Sequence, residues 1–223
     1  MTNRGVIIIP PLRIEGAGVM IERSDIPPID LRRYALYWDR IDWPDNNLVS
    51  LGGSGPETEL LQQTGVLSRT RVVFSSWSGN VAHAFGIMQL QAFAEHSRKE
   101  PGSWSIAQGQ PELYLPSELT TPRRTIEVEL YEALPVPTAD VPLDRVLEFK
   151  AKRQAELLQF RARMDDLYQE VISAADIPRA KERAIERVQT SIDALVTVMD
   201  ESHVSRILSS VKVELNVSSV IRD

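Results

Sequence analysis

Not one of the 223 residues is a cysteine, and this absence excludes disulfides, thiolate nucleophiles, Cys-ligated zinc and iron–sulfur clusters. Histidine is nearly as scarce, occurring as His83, His96 and His203. No stretch reaches the roughly 18 consecutive apolar residues of a membrane span. The apolar run Val6 to Ile9 stops at Pro10-Pro11, too early for a signal peptide. Cations are outnumbered, with 25 Lys and Arg against 31 Asp and Glu and a net charge of −6. That balance argues against nucleic acid as the main partner, since phosphate binding needs clustered Lys and Arg. A reducing cytoplasm is the expected location, with no membrane and no cofactor expected.

What is present is an ordinary globular mixture, 43% hydrophobic and 25% charged, sufficient for a sizeable core. The pattern predicts an α/β fold with a mixed sheet, with α+β as the alternative. Gly5 to Ile9 reads as a strand buried on both faces, and Ala17 to Glu22 as a second strand. Asp30 is the expected N-cap of a helix running to about Ile41, with Leu31, Tyr34, Trp38 and Ile41 on one stripe. Asn47–Leu51 reads as a short strand, 52–56 as a glycine-rich turn, and Glu57–Gln63 as a short helix closed by Gly65. A strand is expected within Val66–Ser75, then a buried, almost wholly apolar helix over Val81–Arg98. Glu100–Gln110 reads as a surface loop, followed by strands at Glu112–Leu115 and Arg124–Leu134.

Three prolines between Leu134 and Pro142 mark a linker, and the composition then turns charged and helical. The expected division is an α/β domain over 1–139, a helical hairpin over 140–202 and a C-terminal strand or tail over 203–223. One long helix from Leu143 to about Ala174 carries Leu157, Phe160, Met164 and Leu167 at spacings of three and four. Asp176-Ile177-Pro178 breaks and restarts it, with Asp176 as N-cap, and the second helix repeats the stripe with Ile185, Val188, Ile192 and Leu195. These eight residues are the candidate interaction residues. The alternation of Val211, Val213, Leu215 and Val217 suggests a strand returning to the first sheet.

Constellations for catalysis are thin. Asp39, Asp42 and Asp45 recur at threes, but Arg40 intervenes and Pro44 breaks the helix before Asp45, so a solvated acidic helix face is a stronger reading than a metal site. Glu127 with Glu129, and Lys212 with Glu214, have the two-residue strand spacing that a metal-dependent nuclease uses, but no Lys follows the glutamates at the expected step, and exposed strand carboxylates are the favoured reading. The turn 52–56 lacks the Lys-Ser or Lys-Thr of a phosphate loop. His83 reads as a core or boundary residue, His96 as helix surface, and Trp77 and Trp104 as loop residues suited to contact. No catalytic, cofactor or metal ligand is assigned.

Leu36-Tyr37-Trp38-Asp39-Arg40, after an N-terminal strand and a Pro turn, is similar to a segment of an uncharacterised bacterial family known only as a domain of unknown function. Pro142-Leu143-Asp144, Leu147-Glu148-Phe149-Lys150 and Leu158-Gln159-Phe160-Arg161 are similar to that family's long helix, with Lys150 standing where the family sets Arg. The resemblance implies a bacterial source and a place among mobile-element or defence genes. It transfers no catalytic residue. The leading expectation is a non-catalytic interaction or assembly subunit whose hairpin associates with itself or with a companion protein. The alternative is a metal-dependent nuclease or phosphodiesterase using paired carboxylates.

Overall fold

The computed structural model describes residues 4–15, 18–49, 52–108, 114 and 127–214, and every structural statement concerns these. Strand β1 (Gly5–Ile8) is wholly buried and lies at the middle of a six-stranded sheet. Its alternation explains why both faces are covered. Val6 and Ile8 enter one apolar cluster, while Ile7 enters another with Leu90 and Phe93 on the opposite side. The next segments are a hairpin of β2 (Leu12–Glu15) with β3 (Gly18–Ile21), then helix α1 (Pro28–Tyr37) and β4 (Arg40–Asp42). After β5 (Asp45–Asn46) and helix α2 (Pro56–Gln63) come β6 (Leu67–Ser68) and β7 (Arg71–Val72). Helix α3 (Val81–Lys99), capped by the Asn80 side chain, leads to β8 (Trp104–Ala107).

Strands β6, β4, β1 and β8 are parallel and lie in that order, so successive connections run to one side of β1 and then to the other. Strands β9 (Glu127–Pro137) and β10 (Arg206–Glu214) extend the sheet antiparallel, giving the full order β6-β4-β1-β8-β10-β9. The chain is therefore α/β with a mixed sheet, and its C-terminal strand returns to the first sheet as the alternation suggested. Between β9 and β10 stand α4 (Leu143–Lys152), α5 (Gln154–Ser173) and α6 (Ile177–Glu201). Arg153–Glu201 at 3.1 Å and an Arg187–Glu170 ion pair further along show that α5 and α6 run antiparallel.

Several expectations are corrected. Helix α1 stops at Tyr37, because Trp38 is extended (φ −120°, ψ 148°), so Ile41 belongs to β4. Asp30 caps nothing. It is buried and paired with Arg33; burial pushes its carboxyl up while the charges of Arg33 and Arg23 oppose. The supposed surface loop over Glu100–Gln110 contains β8, a fully buried central strand. The proline-rich linker is the end of β9, where Leu134 and Val136 are buried; proline is tolerated because β9 is the sheet's edge strand. The long helix is divided at Arg153 (φ −110°, ψ 32°). The brief strand expected at Asn47–Leu51 lies instead at Asp45–Asn46. Of Glu112–Leu115, only Tyr114 falls within the described residues, outside any strand. Asp176 does cap α6, accepting the Arg179 N–H at 3.1 Å.

Candidate functional site

Asp39 sits where α1 ends and the chain turns into β4, and Arg4 just ahead of β1 fixes that turn. The Asp39 and Arg40 N–H groups donate to the Arg4 carbonyl at 2.9 and 3.1 Å, and the Arg4 N–H donates to Asp39 Oδ2 at 3.1 Å. Arg161 of α5 grips the same carboxylate with both arms of its guanidinium, at 2.7 Å to Oδ2 and 3.0 Å to Oδ1. A planar fork is suited to bidentate carboxylate binding. From α4, Lys150 Nζ donates to the Ala35 carbonyl at 2.9 Å and to that of Trp38, with Asp39 Oδ1 at 3.7 Å. A cation thus meets the negative end of α1.

Burial raises the Asp39 carboxyl, but the hydrogen bonds from Arg161 and Arg4 and the charges of Arg161 and Lys150 outweigh it, leaving its pKa below the usual value. Burial, with Arg161 as a like charge, pushes Lys150 down to about 8 against the pull of Asp39. Apolar contacts complete the joint. Phe160 meets Tyr37 with centroids 5.4 Å apart, and the Tyr37 hydroxyl donates to the Pro135 carbonyl at 2.8 Å. Burial pushes the Tyr37 phenol up.

The two segments that carried the family resemblance therefore meet across 122 positions of sequence. Of the candidate interaction residues, Leu157, Phe160, Ile192 and Leu195 are buried in one cluster with Val6, Tyr34 and Trp43. The side chains of Met164, Leu167, Ile185 and Val188 lie outside the described set.

The three aspartates do not share a helix face. Asp39 is in the joint, Asp45 is on β5 with Arg69 at 3.8 Å, and Asp42 is on β4, fully buried and facing α3. Asp42 Oδ1 accepts the Thr70 N–H at 2.9 Å, and its Oδ2 lies 2.6 Å from His96 Nε2. Thr70 Oγ1 meets the same His96 nitrogen at 3.2 Å, so the imidazole is not placed between hydroxyl and carboxylate as a triad requires. His96 is thus a partner of the sheet rather than helix surface, stacked on Trp104 at 3.9 Å. Trp104, expected in a loop, is buried on β8 and lies flat on Gly5, where a Cβ would come within 2.3 Å of the indole.

The register sets Glu129 opposite Lys212 and Glu127 opposite Glu214; their side chains lie outside the described set. In the glycine-rich turn, Gly53 (φ +78°) is pressed against the Arg69 guanidinium, and the first turn of α2 carries Glu57 and Glu59. Acidic residues there disfavour a phosphate. Among the described residues, no three His, Asp or Glu side chains converge to hold a metal, and no helix is long and apolar enough to cross a membrane.

Parallel strands wound to both sides of β1, with the β2–β3 hairpin inserted between β1 and α1, define a doubly wound α/β protein in which Pro10-Pro11, and not the glycine turn of dinucleotide-binding folds, follows β1. The model of a family of unknown function, DUF6236, matches residues 14–221, and the chain belongs to that family. No curated protein and no solved structure matches it. The Asp39–Arg161 joint was missed in the sequence because spacing rules do not reach so far; the charged ends of the two family-like segments were the available signal.

Proposed function

We propose that this is a non-catalytic assembly subunit that offers the distal turns of its α5–α6 hairpin to a second protein chain, either another copy or a companion. The observation that carries this reading is the difference between the two ends of the hairpin. Its proximal turns are anchored by Leu157, Phe160, Ile192, Leu195 and Met199 in the core and by Arg161 on Asp39. The turns of α6 before Ile192 extend about 22 Å at about 1.5 Å per residue. There Arg163, Asp166, Arg179, Arg183 and Arg187 are exposed, and the Arg187–Glu170 ion pair joins the two helices to each other. Two helices can cover only one stripe each, so an antiparallel pair held rigidly at its root suits addition of further helices.

The test is native mass spectrometry of the tagged full chain purified from its own host. The reading expects a mass above the 25.1 kDa of one chain, and expects Leu167→Lys to lower it without lowering the melting temperature of the α/β body. A wild-type chain that stays at 25.1 kDa with no companion contradicts it.

A further inference from the structure

At the carboxyl end of the parallel strands, beside the paired strands β1 and β8 from which the connections diverge, four rings from three separate segments form a chain. Phe74 follows β7, Trp77 lies in the loop before α3, His83 is in the first turn of α3, and Tyr114 comes after β8. Centroid distances are 5.6 Å for Phe74–Trp77, 5.9 Å for Trp77–His83 and 5.8 Å for His83–Tyr114. In open α/β sheets, the carboxyl edge at the point where connections diverge is where ligands bind.

The floor and ends of this wall are fixed. Gln89 Nε2 donates to the carbonyls of Ile7 on β1 and Ala107 on β8, at 2.8 and 3.0 Å, and so bridges the two strands. Gln108 donates to Gln89 Oε1 at 2.8 Å and exchanges hydrogen bonds with the Tyr114 backbone at 2.9 and 2.6 Å. The Tyr114 hydroxyl and His83 Nδ1 are hydrogen-bonded. Asn47 clamps the Phe74 backbone with two bonds, at 2.9 and 2.8 Å.

Within this fixed frame the Trp77 indole N–H is buried and has no acceptor among the described residues. A buried donor without a partner is costly and rare. Its loop neighbours Ser75, Ser76, Ser78 and Gly79 are all exposed, and nearby Val73 is 68% exposed. The four rings include no carboxylate, ammonium or guanidinium, so they match a flat neutral ring better than a phosphate. Aromatic side chains stack on any nucleobase face.

We propose that these rings form a binding site for a small planar heteroaromatic ligand of the nucleobase type, with a ring nitrogen or carbonyl oxygen of the ligand accepting the Trp77 indole N–H.

The full chain is titrated with adenosine and with uridine, followed by calorimetry and by tryptophan fluorescence. Saturable binding of at least one, weakened roughly tenfold by Trp77→Phe, which keeps a ring and removes the donor, is the expected result. His83→Ala, which removes the neighbouring ring and the partner of the Tyr114 hydroxyl, is expected to weaken the same nucleoside. An unchanged melting temperature shows that each variant is folded. Absence of saturable binding of both nucleosides to the wild-type chain, or equal affinity in folded Trp77→Phe, overturns the proposal.

Discussion

The two faces of the sheet are closed in different ways. On one face, the single helix α3 is supplied from the segment just before β8 and seals the sheet with Leu90, Ala92 and Phe93. On the other, α1 and α2 share the cover with helices drawn from residues 143–201, so the chain's two halves must find each other. Asp39 and Asp42 show the contrast within three residues. Asp42 turns to α3 and is satisfied by one backbone N–H and one imidazole, whereas Asp39 joins α1, α4 and α5 through two cations. A local face can rely on apolar burial; a face assembled from distant segments gains its register from directional charged bonds.

The largest effect should come from removing the apolar part of the joint. Phe160→Ala is expected to cost about 3–5 kcal/mol by denaturant unfolding, the usual loss for a buried aromatic. Next, Asp39→Ala leaves Arg161 and Lys150 without their shared acceptor and should cost about 3 kcal/mol, with the α5–α6 amides losing exchange protection before those of α3. Asp42→Ala should reverse that order, costing about 2 kcal/mol as Thr70 and His96 lose their partner. If both variants loosen both faces equally, the comparison fails.

Lys150 sharpens the comparison through pH. Burial pushes its ammonium down to about 8 in the folded chain, from 10.5 for a lysine in water, so between these the unfolded chain binds more protons and stability rises with pH. Thermal melts from pH 8 to 10 should show this rise in wild type and a smaller one in Lys150→Met. The smallest expected effect belongs to the exposed turns. Arg179→Glu with Arg183→Glu should change the melting of the isolated chain by no more than about 0.5 kcal/mol equivalent, while altering the mass of the assembly.

Much of this architecture was legible in the sequence where a local rule governs. Asp176 marks a helix start because its side chain replaces a missing N–H acceptor, and the apolar run of β1 announces a strand covered on both sides. Errors arose where one pattern satisfies two structures. The stripe Leu31, Tyr34, Trp38, Ile41 fits a longer helix, yet Trp38 and Ile41 reach the same core from an extended segment. Trp104-Ser105-Ile106-Ala107 is too short to show a period, and Pro135 and Pro137 look like linker until the sheet order makes them an edge. Pairings such as Asp42 with His96 are tertiary, and no spacing encodes them.

Hydrogen exchange on the α5–α6 hairpin, compared between the assembly isolated from the host and the same chain dissociated by dilution, tests the central claim most directly. The account predicts that amides over 162–191 slow markedly in the assembly while those over 192–199, already buried in the chain's own core, stay slow in both. Equal exchange of 162–191 in the two states would contradict it.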